Sequence, residues 1–167
     1  MTTGQLPDPA FMYAVAGLSL TLAGFSGLVV AFRHEGALKA VDAYRLVQIP
    51  EMALVTTLLS LIPAPLSEWV GTASAGIRIT AGLALLFTIG HVLVLITRMR
   101  EGHLQLPQAG VTMAGVLDIA IMLTGAICLG VGSALSLDWL LILLLARPML
   151  AFALVVADVA SGSPAKR

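Results

Sequence analysis

Five runs of apolar residues, separated by short polar stretches, organise the chain. The first runs from Tyr13 to Phe32 without a charged residue, and the second from about Leu46 to Ile62. The third covers Ile77 to Ile96, the fourth about Val111 to Val131, and the fifth Trp139 to Val156. Crossing a hydrocarbon core of ~30 Å takes roughly 20 helical residues. The second run is short for this and the others fit. A segment in lipid must satisfy its backbone hydrogen bonds internally, so such runs are helices. The alternating pattern of a membrane barrel is absent. The pattern predicts an all-α polytopic membrane protein, a bundle of about five transmembrane helices, with residues 1–167 as a single integral membrane domain.

Composition agrees with the pattern. The chain is 59% hydrophobic and 11% charged, with a mean hydropathy of +1.00. Ordinary soluble domains carry about 25% charged residues, so this chain lacks the charge to solvate itself. The formal net charge is zero, which leaves no electrostatic case for a nucleic-acid partner. The single cysteine, Cys128, excludes an internal disulfide. Residues 2–11 hold no Lys or Arg, and the first apolar run exceeds a signal peptide's core, so it reads as a retained helix. No lipidation motif is evident, since Gly4 is not at position 2.

The distribution of basic residues implies an orientation. Arg33, Lys39 and Arg45 fall between runs one and two, Arg98 and Arg100 between three and four, and Lys166 and Arg167 in the tail. The opposite side holds Arg78 against Asp8, Glu68 and Asp138. The positive-inside rule puts the N-terminus outside and the C-terminus in the cytoplasm, in a membrane read as a bacterial inner membrane. Tyr13, Trp69 and Trp139 fit the outer aromatic belt and Tyr44 the inner one.

Run two is irregular. Lys39, Asp42 and Arg45 form a polar stripe at three-residue spacing, and Pro50 then removes a backbone donor. Pro50 either kinks one long helix or starts a new one at its first position. Pro63 and Pro65 read as the end of the run.

Four ionisable residues lie within the apolar runs: Glu51, His91, Asp118 and Arg147. A charge at the centre of an inserted helix costs about 2.5–3.5 kcal/mol, so each needs a partner or a purpose. At a rise of ~1.5 Å per residue, their depths from the inner ends of their helices are roughly 8, 9, 12 and 15 Å. They fall between the inner leaflet and the midplane, where sequentially distant groups can meet. Asp118 and Arg147, on consecutive antiparallel helices, read as a structural ion pair or as a site for a translocated ion or polar ligand. Pro148 leaves the carbonyl of Leu144 without its helical donor. Glu51 reads as a first-turn carboxylate favoured by the helix dipole, or as a relay partner of His91. His91 alone reads as an interhelical hydrogen-bonding group.

Other chemistry has no motif. No HExxH, ExxH or cysteine pattern supports a metal, and no phosphate loop or dinucleotide fingerprint supports a cofactor, so none is expected. Ala23-Gly24-Phe25-Ser26-Gly27 is a packing sequence without nucleophile context. Small residues recur four apart at Ser19, Ala23 and Gly27, and again at Ala126 and Gly130 with Gly125 beside them. Such stripes let helices approach within one chain or between copies. The expectation is passage of an ion, proton or small solute through a polar site of Glu51, His91, Asp118 and Arg147. The alternative is a non-catalytic accessory or scaffold subunit, and a membrane-embedded enzyme is the third reading. Expected partners are the lipid bilayer and either a second copy or another membrane protein.

Overall fold

The computed structural model describes residues 5–32, 40–101 and 108–160, with side chains within 5–28, 44–101 and 110–157. Arg33, Lys39, the side chain of Asp42 and the tail at 161–167 therefore lie outside the described residues. The elements are α1 (Pro9–Phe32), α2 (Ala40–Leu61), α3 (Pro63–Val70), α4 (Ala73–Arg100), α5 (Gln108–Val131) and α6 (Ala134–Ala160). Five stretches are long and apolar enough to cross a membrane: Pro9–Leu28, Tyr44–Val70, Ala73–Arg100, Gly110–Val131 and Ala134–Ala157. The chain is an all-α membrane bundle.

The second crossing gains its missing length from α3. Pro63 opens that helix instead of ending the crossing, because proline's fixed φ and absent N–H suit a first helical position. Gly71, at φ +82°, closes α3, and its N–H donates to the carbonyl of Ser67. Upstream, Pro50 sits inside α2, which runs unbroken from Ala40 to Leu61. Glu51 is thus a mid-helix residue, and stabilisation by a helix N-terminus does not apply to it.

The outer surface of the bundle is largely apolar, and most polar side chains of its middle lie inside. Leu86, Val116, Leu123 and Leu135 are exposed, whereas Arg45, Gln48, Thr56, Thr88, Asp118 and Arg147 are buried. Tyr13, Trp69 and Trp139 are exposed at the end of the bundle where α1 and α6 begin, here the tryptophan end. Arg98 and Arg100, in the last turn of α4, mark the basic end.

Helix α1 packs on α2, α2 on α6, α6 on α5, α5 on α4, and α4 back on α3. Contact between α4 and α3 is close at Gly76, where a Cβ atom would stand 2.8 Å from the backbone nitrogen of Ser67 and 2.9 Å from the carbonyl oxygen of Pro63. Of the small-residue stripes, Gly125 packs against Leu85 within the bundle, while a Cβ atom at Gly27 or Gly130 would meet nothing within 4 Å.

Two buried apolar clusters result. The larger, toward the tryptophan end, includes Leu59, Ile77, Ala84, Ile121, Leu137 and Leu141. The smaller, toward the basic end, joins Leu46 and Ile49 of α2 to Ala151 and Val155 of α6. A layer of polar side chains lies between them.

Candidate functional site in the polar layer

Asp118 of α5 and Arg147 of α6 meet in this layer. Arg147 Nε donates to Asp118 Oδ1 at 2.7 Å, and Arg147 Nη2 donates to Oδ2 at 3.2 Å. The planar fork of guanidinium matches the carboxylate, and such charge-assisted two-point contacts are among the stronger hydrogen bonds. Both residues are buried, at 4% and 6% exposure, so lipid sees a neutral pair. The connection that brings them together is tight. Only Gly132 and Ser133 separate α5 from α6, and Gly132 takes the left-handed φ of +64° that turns the chain. Ser133 Oγ accepts from the backbone N–H of Ser136 at the start of α6.

His91 of α4 borders the same small cavity as the ion pair. The cavity measures ≈ 10 Å³ and is lined by Thr56, Phe87, His91, Asp118, Leu144 and Arg147 among others. That is room for about one water molecule. Phe87, one turn before His91, leans against its ring with centroids 6.2 Å apart.

The partner of His91 is Gln48 of α2. Gln48 Nε2 lies 2.8 Å from His91 Nε2 and also donates to Tyr44 Oη at 2.7 Å. An amide nitrogen only donates, so with the Gln48 amide in this orientation His91 Nε2 is the acceptor and the ring's own proton belongs on Nδ1. Tyr44 in turn lies beneath the guanidinium of Arg98, whose carbon stands 5.4 Å from the ring centroid, a cation–π contact. Tyr44 is therefore half-buried at the start of a polar chain. This chain, Arg98 to Tyr44 to Gln48 to His91, leads from the basic end to the ion pair.

A second cavity, of ≈ 30 Å³, opens below the first, with Tyr44, Arg45, Gln48, Gly110, Arg147 and Leu154 among its lining. Arg147 borders both cavities, and Gln48 with His91 stands between them. Toward the tryptophan end, Ile121 and Leu144 are shared between the upper cavity and the larger apolar cluster.

Glu51 is placed differently from the other three. It is exposed, lines neither of these cavities and has no hydrogen bond or ion pair with another described residue. The structure thus brings together Asp118, Arg147 and His91, and gives His91 the amide of Gln48 where the sequence suggested the carboxylate of Glu51. Among the described residues no cluster of metal-ligating side chains occurs.

Two further members of the layer carry no charge and so were not singled out from the sequence. Thr56 Oγ1 donates within its helix to Met52 O at 2.9 Å and reaches the carbonyl of Leu144 at 3.4 Å. That carbonyl is the one that Pro148 deprives of its helical donor. Gln48 is the other; its signal in the sequence is an amide within an apolar run, two residues before Pro50. Compared with protein-family models, with curated proteins and with solved structures, the chain shows no match.

Proposed function

We propose that the bundle passes protons across the membrane by way of the polar layer, with His91 as the group that takes up and releases them and the Asp118–Arg147 pair as its electrostatic setting. The observation that carries this reading is the shared cavity: an imidazole and a buried ion pair border one water-sized space between two apolar clusters. Histidine is the side chain whose ordinary pKa lies nearest neutral pH. The space suits a proton better than a larger cargo. A cavity of ≈ 10 Å³ has no room for a hydrated ion. In this reading the basic end faces the cytoplasm, the N-terminus lies outside, and the membrane is a bacterial inner membrane, on the strength of the basic-residue bias.

The apolar cluster that seals the layer toward the tryptophan end favours a second reading. In it the protein is a non-catalytic subunit that binds another membrane protein or a second copy, and the polar layer only fixes the bundle. Flux separates the two. Purified protein in proteoliposomes under a pH gradient should carry protons faster than empty liposomes, and His91→Gln should abolish the excess without unfolding the bundle. Folded wild-type protein with no proton flux above background would leave the subunit reading in place.

A further inference from the structure

Gln48 occupies a position that neither its charge nor any motif explains. It is 6% exposed, borders the lower cavity, and holds with one nitrogen both Tyr44 Oη and His91 Nε2. We propose that Gln48 is a gate residue: its hydrogen bond to His91 closes the upper cavity against the lower one, and protonation of His91 opens it. The proposal rests on the proton-passage reading of the same site.

The chemistry of an amide makes this bond conditional. Gln48 Nε2 can donate but not accept, so it cannot hand a proton from Tyr44 to His91. A continuous relay through Gln48 is closed, and the bond acts as a partition. His91 accepts it only while its Nε2 is bare. A proton arriving at Nε2 sets N–H against N–H, and the bond is lost. The charged ring then has an acceptor elsewhere, because Asp118 borders the same ≈ 10 Å³ space.

The charged groups that border the cavity with His91 act on its ring in opposite senses. From α5 it meets Asp118, which attracts a cationic ring, and from α6 Arg147, which repels it but is held by Asp118. From α2 the ring's direct partner is Gln48, with Tyr44 beyond it and Glu51 exposed on the same helix. On α4 itself, Arg98 lies two turns on, over Tyr44. Asp118 is the anionic acceptor that borders the cavity with His91, and in the proposed gate the ring moves on protonation toward it and away from Gln48. That motion joins the two cavities along the Gln48 side, so the gate opens toward the basic end when the proton is aboard.

The test reads His91 directly. The chain has three histidines, so His34→Gln and His103→Gln leave His91 as the single imidazole. With ¹⁵N-labelled histidine and glutamine in lipid bilayers, solid-state NMR at high pH should report the Nδ1–H tautomer and magnetisation transfer between Gln48 Nε2 and His91 Nε2. At low pH the ring should become cationic, and the contact with Gln48 should be lost. Gln48→Leu should abolish the tautomer preference while leaving the ring titratable. Two results would overturn the gate. One is a Gln48–His91 contact that survives ring protonation, as it would if the amide turned its oxygen to the ring. The other is an unchanged tautomer in Gln48→Leu. Neither measurement needs flux, so a gate that fails here is distinguishable from a bundle that fails to pass protons.

Discussion

At the scale of residues, the polar layer is governed by what lipid charges for an unpaired ion. Removing one partner of a buried pair leaves the other uncompensated, at a cost of about 3–5 kcal/mol. Asp118→Asn and Arg147→Gln should therefore each lower the thermal unfolding midpoint in detergent, and the double variant should regain part of the loss. Strictly additive losses would contradict the contact between them. The same cost made these residues legible in the sequence, because an ionisable group in an apolar run stands out. Depth was legible too, since it follows from counting residues along a helix. Rotation about the axis was not. Gln48 and Glu51 are three residues apart, which turns one from the other by ~60°. That rotation puts Gln48 in the interior and Glu51 on the exposed face. In a helix apolar on most sides, no stripe in the sequence marks which face is inward, so Glu51 and Gln48 could not be told apart. Their lack of charge hid Gln48 and Thr56 altogether.

At the scale of elements, the two prolines inside helices have different surroundings. Pro148 frees the carbonyl of Leu144, and Thr56 reaches it from α2 at 3.4 Å. Interhelical hydrogen bonds in membranes average about 0.6 kcal/mol. Thr56→Val should cost about that much in an unfolding titration. In a Pro148→Ala background, where the helix regains its own donor, the same change should cost measurably less. Equal costs in both backgrounds would mean that the hydroxyl serves only Met52. Five crossings were legible from run length, and the short second run was the point at which that signal stopped. Pro63 and Pro65 carry the two opposite meanings of proline, an end and a beginning, and only the packing of α3 on α4 through Gly76 selects the second.

At the scale of the whole molecule, the proposed topology has the two chain ends on opposite sides of the membrane, as five crossings require. Cysteines placed at Thr2 and Ser163 test this against a membrane-impermeant maleimide. The background is favourable, because the native Cys128 is fully buried in the larger apolar cluster. In intact cells the Thr2 position should label and the Ser163 position should label only after permeabilisation. Labelling of both from one side would overturn the five-crossing topology.

The spacing of the ion pair also bears on how the protein is made. Asp118 leaves the ribosome 29 residues ahead of Arg147, its only ion-pair partner among the described residues. A helix with a lone carboxylate near its middle partitions poorly into lipid, and so does one with a lone arginine. The two-residue connection at Gly132 and Ser133 lets α5 and α6 fold back on each other as soon as both have emerged. The hairpin, with its charges already cancelled, is then a better unit for entry into the bilayer than either helix alone. Until translation has passed Arg147, α5 has reason to stay within the aqueous shelter of the insertion machinery.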